Sequence, residues 1–162
     1  MESMEKQKQH IRSQLLKKLL SLTQEEIKRR SNNVQKILSC LPIYKKAKVV
    51  MGYYPLKGEV SLLDMFRRDW GMKRFCFPVM DVESGAIGAF CVNDLNTDFT
   101  KGPFGVWEPD RGKAEPLDAG AIDLLLVPGL AFDRKCNRLG RGKGSFDRFI
   151  QTLSSKTTTV GL

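Results

Sequence analysis

The sequence predicts an α/β protein with a mixed, mostly parallel sheet, and three observations predict it. Amphipathic helical stretches alternate with short β-branched and aromatic runs along the 162-residue chain, the order that builds a sheet covered by helices. The run Ile122-Asp123-Leu124-Leu125-Leu126-Val127 is apolar almost without a break, as strands buried on both faces are. Gly or Pro stands at most of the switches between runs (Pro42, Pro55, Gly71, Pro78, Pro128-Gly129), where the chain must turn.

Each element has its own local signal. Ile11, Leu15, Leu16, Leu19 and Leu20 recur at helical spacing among Lys and Arg, which predicts an amphipathic helix over about residues 5–20. Thr23 and Glu26 form a capping box for a second helix, because each side chain can serve the other's backbone N–H. That helix runs to about Cys40 and stops before Pro42. Val49 to Tyr54 reads as a strand ended by Pro55. Val60 to Asp69 reads as a helix that Gly71 terminates. Arg74 to Phe77 is a strand before Pro78, and Ala86 to Val92 a third. Residues 93–120 are polar and turn-rich and read mostly as loop. After Val127 comes a long Gly- and Arg-rich loop, then a helix over about Gly144 to Leu153, then a strand from Thr157 to Val160.

Composition narrows the function. The length suits one domain, residues 1–162. With 41% hydrophobic and 28% charged residues the chain is of ordinary globular type. No apolar run approaches the roughly 20 residues of a membrane span, and the N-terminus has no secretory h-region. The four cysteines, Cys40, Cys76, Cys91 and Cys136, are widely spaced with no C-x-x-C and read as reduced cytoplasmic thiols. The single histidine, His10, lies on the first helix and disfavours a Ser-His-Asp triad, a Cys-His pair or a His-rich zinc site. What remains is chemistry by Lys, Arg, Asp, Glu, backbone amides and an oxygen-ligated metal.

The net charge of +9 is uneven: residues 1–48 carry +8, residues 49–130 carry −4 and residues 131–162 carry +5. If the fold joins the two basic ends, they make one anion-attracting surface; if it does not, they are two solvated faces. A nucleic-acid-binding domain would also be basic.

The segment from Gly129 to Arg148 carries the most chemistry. Gly140, Gly142 and Gly144 alternate with Arg141 and Lys143, Arg138 stands just upstream, and a helix follows at once. Glycines let backbone N–H groups approach an anion, a helix N-terminus adds a positive field, and Lys and Arg supply charge and bidentate donors. The pattern fits neither a P-loop, since Gly144 rather than Ser or Thr follows Lys143, nor the dinucleotide G-x-G-x-x-G. A flexible basic surface loop, or a loop touching an RNA backbone, has the same composition. Asp147 and Asp133 flank the loop as acids; Asp147 suits a shared Mg²⁺, whereas Asp133 reads as a turn or cap residue.

The run from Leu126 to Phe149, LVPGLAFDRKCNRLGRGKGSFDRF, resembles the signature of the 5-formyltetrahydrofolate cyclo-ligase family, roughly PG-x-x-FD-x-x-G-x-RLG-x-G-x-G-YYD. Three further stretches agree in order: Lys8-x-x-Ile11-Arg12, Tyr53-Tyr54-Pro55-x-x-Gly58-Glu59-Val60, and Phe104-Gly105-Val106-x-Glu108-Pro109. The resemblance covers essentially the whole chain. It implies a Rossmann-like three-layer α/β sandwich of the sugar-phosphate isomerase and CoA transferase type. It also implies an ATP- and Mg²⁺-dependent ligase that converts 5-formyltetrahydrofolate to 5,10-methenyltetrahydrofolate with release of ADP and phosphate. Carried across, Lys8, Arg12, Arg138, Leu139, Gly140, Arg141, Gly142, Lys143, Gly144, Ser145 and Phe146 would hold ATP, with Lys8, Arg141 and Lys143 as the catalytic cations. Tyr54, Glu59 and Trp107 would meet the folate, and Asp147 would ligate Mg²⁺. On the residues alone, Lys8 reads as well as a solvated helix lysine, Glu59 as a loop carboxylate, and Tyr53 and Trp107 as core aromatics.

The chain departs from the family pattern in three places. Ser145-Phe146 stands where the family has Tyr-Tyr, and Cys136 where it has Gly. The family pattern also continues beyond Val160-Gly161-Leu162 with a strand and a second acidic Mg²⁺ ligand, so the chain is expected to lack that segment. The expected enzyme is a cytoplasmic monomer acting on a small folate, with or without a polyglutamate tail, and on no nucleic acid or membrane. A catalytically impaired homologue that binds ATP or folate is the alternative, with a basic nucleic-acid-binding domain behind it.

Overall fold

The computed structural model of the protein describes residues 3–102 and 105–162. The main sheet has six strands: β1 (Val49–Met51), β2 (Arg74–Met80), β3 (Ile87–Cys91), β6 (Glu115–Leu117), β7 (Leu124–Val127) and β10 (Thr158–Gly161). Their spatial order is β10-β7-β1-β2-β3-β6. β1 pairs parallel with β2 and β7, and β7 parallel with β10. β3 is antiparallel to both β2 and β6. The mixed, mostly parallel sheet expected from the alternation of elements is therefore present.

Side-chain alternation along the strands makes two cores. Val50, Phe75, Phe77, Leu124 and Leu126 face one side, with Leu38 of helix α2 (Gln24–Cys40), Tyr44 of α3 (Pro42–Lys46), and Met65 and Phe66 of α4 (Leu63–Arg68). Met51, Cys76, Leu125 and Val127 face the other, against Phe149 of α5 (Ser145–Ile150). Three layers result, with all four residues of β7 buried. Phe66 packs on Phe75 in a tilted pair at 4.5 Å and meets Phe77 edge-on at 5.8 Å. A Cβ on Gly52 would lie 2.6 Å from the Phe66 ring, so only glycine fits at the end of β1. Burying a ring of this size contributes about 2–3 kcal/mol.

The capping box forms as read: the Thr23 hydroxyl accepts the Glu26 N–H at 3.2 Å, and Glu26 accepts the Thr23 N–H at 3.0 Å. α1 (Met4–Leu20) buries no residue fully. It lies across two loops, with Leu19 against Gly58 and Arg12 on Gly140. Pro42 stops α2 and then opens α3 as its first helical residue, where a missing N–H costs nothing.

Four expectations are corrected or refined. β2 does not stop before Pro78 but continues to Met80. The Phe75 carbonyl accepts from Val92 of the β3 side and the Cys76 carbonyl from Gly52 of the β1 side. Pro78, two residues past Cys76, therefore turns its nitrogen toward the β1 side, beyond the end of β1, where no donor is needed. Residues 93–120 are mostly loop, as read, but they also hold the ribbon β4 (Phe99–Lys101) with β5 (Trp107–Pro109), and then β6 at the sheet edge. The loop after β7 carries a second ribbon, β8 (Ala131–Phe132) with β9 (Arg138–Leu139). Cys76 and Cys91 are not reduced thiols: they stand opposite one another on β2 and β3 and are joined as a disulfide. At 0% and 2% exposure, that bond is shut away from solvent reductants.

Candidate functional site

β1 sends its chain to one side, into β2, and β7 sends its chain to the other, into β10. In an open α/β sheet the crevice between two such strand ends is where ligands bind. The loop after β1 brings Tyr53, Tyr54, Leu56 and Glu59, and the loop after β7 brings Arg138 through Phe146. Between them lies a cavity of about 320 Å³.

One wall is apolar. Met80 and Ile87 face each other across the turn end of the β2–β3 hairpin, and Val106 and Trp107 come from the start of β5. The Tyr54 ring faces Trp107 at 6.1 Å and Phe99 at 5.3 Å. Trp107 is 41% exposed, so its ring is wall rather than core. Tyr53 is core: its hydroxyl donates to the Val60 carbonyl at 2.9 Å, and burial raises its pKa above the ordinary tyrosine value, with the Glu59 charge adding to the effect. Glu108, on the same rim, is 8% exposed, and desolvation lifts its carboxyl above the usual range although the Met80 N–H bonds to it.

The opposite wall is cationic. Gly142 and Gly144 have φ of +109° and +66°, conformations that favour glycine. Gly140, Arg141, Lys143, Gly144, Ser145 and Phe146 line the cavity with Arg138. The Arg138 guanidinium donates to the Pro128 carbonyl at 3.0 Å and to Asp147 at 2.5 Å, and lies 5.7 Å over the Phe146 ring. Its buried Nε and the buried Ser145 hydroxyl have no partner among the described residues. Buried donors left so cost about 1–3 kcal/mol each, and a ligand in the cavity would relieve that cost. Arg141 reaches across to Glu59, whose side chain is 10% exposed.

Most of the expected site residues thus meet: Tyr54, Glu59 and Trp107 on one side, Arg138, Gly140, Arg141, Lys143, Gly144, Ser145 and Phe146 on the other. Arg12 does not line the cavity but donates to the Gly140 carbonyl at 3.1 Å and to Glu5 at 2.8 Å, buttressing the loop from outside. Gly142 faces the Arg12 guanidinium, and Leu139 pairs with Ala131 in the ribbon. Lys8 is exposed on α1, one turn before Arg12, and does not line the cavity. Asp147 is exposed at the foot of the loop. His10 contacts Gln14 on the exposed face of α1. Phe104 lies outside the described residues. Asp133 is a turn residue: its carboxylate accepts the N–H groups of Lys135 and Asn137 and the Asn137 amide. Among the described residues no three His, Cys, Asp or Glu side chains gather as a metal cage. No helix of the described residues is long and apolar enough to cross a membrane.

Sequence reasoning missed Met80 and Ile87, although Asp81 to Gly85 between them is turn-like.

Known proteins resemble this chain over nearly its whole length. The profile of the 5-formyltetrahydrofolate cyclo-ligase family matches residues 4–162. The 5-formyltetrahydrofolate cyclo-ligase of Haemophilus influenzae is 29% identical over 157 residues, covering 96% of this chain and 84% of that one. The mouse cyclo-ligase is 26% identical over 149 residues, covering 89% and 73%. Among solved structures, the Aquifex aeolicus 5,10-methenyltetrahydrofolate synthetase superposes with a TM-score of 0.81 at 35% identity, covering 96% of this chain and 76% of that one.

Proposed function

The chain belongs to the 5-formyltetrahydrofolate cyclo-ligase family, and from that premise we propose that it closes 5-formyltetrahydrofolate to 5,10-methenyltetrahydrofolate at the expense of ATP. One observation carries the reading: an apolar aromatic wall and a cationic glycine loop share a single cavity and touch through Glu59 and Arg141. A flat heteroaromatic ring suits the Tyr54–Trp107 side, and a triphosphate suits the loop.

The formyl oxygen, a poor leaving group, takes the γ-phosphoryl group of ATP. N10 attacks the formyl carbon and gives up its proton, and the oxygen departs within inorganic phosphate as the ring closes. The protein's work is positioning and charge neutralisation. Arg138, Arg141 and Lys143 would neutralise the triphosphate, Arg12 would hold the loop in place, and Lys8 would add charge from α1. Glu59 and the two aromatic side chains would orient the folate. Loss of one such phosphate donor costs on the order of 3 kcal/mol of transition-state stabilisation.

Asp147, exposed and tied to Arg138 at the foot of the loop, fits a Mg²⁺ carried mostly by phosphate oxygens and water, as this ion usually is. The ion's contribution would be charge neutralisation on the phosphates. The reading is of a cytoplasmic monomer acting on small anionic substrates. Arg138, largely buried, and Arg141 are each paired with a carboxylate, Asp147 and Glu59.

Purified protein given 5-formyltetrahydrofolate and Mg-ATP should gain the absorbance of methenyltetrahydrofolate. A flat trace from folded protein would refute the reading, and calorimetric binding without turnover would make the chain a binding homologue.

A further inference from the structure

Arg148 does not line the cavity and carries no role assigned above, yet its guanidinium joins two segments that form opposite walls. Nη1 donates to the Lys143 carbonyl at 3.1 Å, and Nη2 to the Gly85 carbonyl, 63 residues away, at 3.0 Å. Its own backbone N–H donates to the Gly144 carbonyl at 3.0 Å. Gly85 and Gly144 both have left-handed φ, +67° and +66°. A Cβ on either would sit 3.2 or 3.3 Å from an Arg148 nitrogen, so both positions leave room for the fork. The Gly85 turn is braced: Gly85 N–H donates to the Asp81 carbonyl, and the Asp81 carboxylate accepts both the N–H and the hydroxyl of Ser84.

We propose that Arg148 is a positioning residue that clamps the glycine loop to the β2–β3 hairpin and thereby aims the loop's amides. In a planar trans peptide the carbonyl and the N–H point in opposite directions. Drawing the Lys143 carbonyl toward Arg148 turns the Gly144 N–H away from Arg148, which does not line the cavity, while Gly144 does. The same guanidinium fixes the turn whose ends supply Met80 and Ile87 to the apolar wall. The planar guanidinium presents its two Nη groups at a fixed spacing to two carbonyls from different segments, a geometry that a lysine's single ammonium does not reproduce.

This inference rests on the ATP reading for its kinetic arm only. Hydrogen exchange reads the clamp directly, with or without turnover. Arg148→Ala should speed amide exchange about tenfold or more at both residues 143–144 and 85–86, leaving β7 and β1 protected. In turnover it should raise the KM for ATP about tenfold while kcat falls less than threefold. Arg148→Lys, which keeps the charge but not the fork, should behave like the alanine variant. Full rescue by lysine, or exchange loosened at only one of the two segments, would overturn the proposal.

Discussion

One carboxylate oxygen of Glu59 accepts two hydrogen bonds from Arg141, from Nε at 3.1 Å and from Nη2 at 3.0 Å, joining loops 82 residues apart. The other oxygen accepts the Leu56 N–H at 2.9 Å, so the β1 loop is fixed as well. The pair sits where the apolar and cationic walls meet. A triphosphate that claimed Arg141 would strip Glu59 of its partner, and a folate N–H could then replace it.

That exchange predicts coupling between the two substrates. Arg141→Ala should lower kcat/KM for ATP by roughly 10–100-fold, the range expected for a charged hydrogen bond of about 1.5–3 kcal/mol. Glu59→Gln should do the same for 5-formyltetrahydrofolate. The double variant should lose less than the sum, by at least about 0.5 kcal/mol. Steady-state kinetics of the four proteins tests this, and strict additivity would break the link.

Cys136 holds φ of +64° with a side chain other than glycine, between the Asp133 turn and Asn137. An L-residue in that region carries a strain of roughly 1–2 kcal/mol. Cys136→Gly should therefore stabilise the fold by about 0.5–1 kcal/mol after the added freedom of the unfolded chain is counted. A urea unfolding curve with a higher midpoint and an unchanged slope would show it.

What was legible in the sequence is what local physics decides. The capping box at Thr23 and Glu26, the apolar run of β7 and the glycine alternation at residues 140–144 each speak within a few residues, and each stands where it was read. β6 was not legible, because Glu115-Pro116-Leu117 has neither alternation nor β-branching and is a strand only through pairing with Ala89 to Cys91. The continuation of β2 through Pro78 depends on β1 ending early, and the disulfide depends on the register that sets Cys76 against Cys91. At the site, Tyr54, Glu59 and the glycine loop were legible through motif. The role of Arg148 was not, since it bonds to backbone carbonyls, which any residue carries.

Acid should loosen the α3–α4 end of the core through Asp69. Its carboxylate accepts the Arg68 guanidinium at 2.8 Å and the buried Tyr44 hydroxyl at 2.6 Å. Arg68 first, then Tyr44, hold its pKa below the usual aspartate value against the opposing effect of burial. A depressed carboxyl stabilises the fold above its unfolded pKa near 4, and that stability is lost as pH falls through the lower, folded value. Unfolding free energy measured from pH 6 down to pH 2.5 should drop steeply below about pH 4. Asp69→Asn should be less stable at neutral pH and show a shallower drop, and an equally steep drop would remove Asp69 as the cause.

Glu108 carries the opposite sign. Its carboxyl is buried beside the apolar wall, and desolvation raises its pKa, only partly offset by the Met80 N–H and the Arg111 charge. The folded state therefore holds the proton more tightly than the unfolded one. Stability through this group is greatest below its unfolded pKa, about 4.3, and declines as pH rises through the folded value. At pH 7 the buried charge is a net cost. A glutamine retains an oxygen to accept the Met80 N–H and carries no charge. Glu108→Gln should thus raise Tm by about 2–4 °C at pH 7. The gain should vanish toward pH 4, where Glu108 in the parent protein is already neutral. Paired thermal melts across that range test it, and a pH-independent gain would assign the effect to packing over Gly102, whose Cβ position lies 2.6 Å from the Glu108 Cδ.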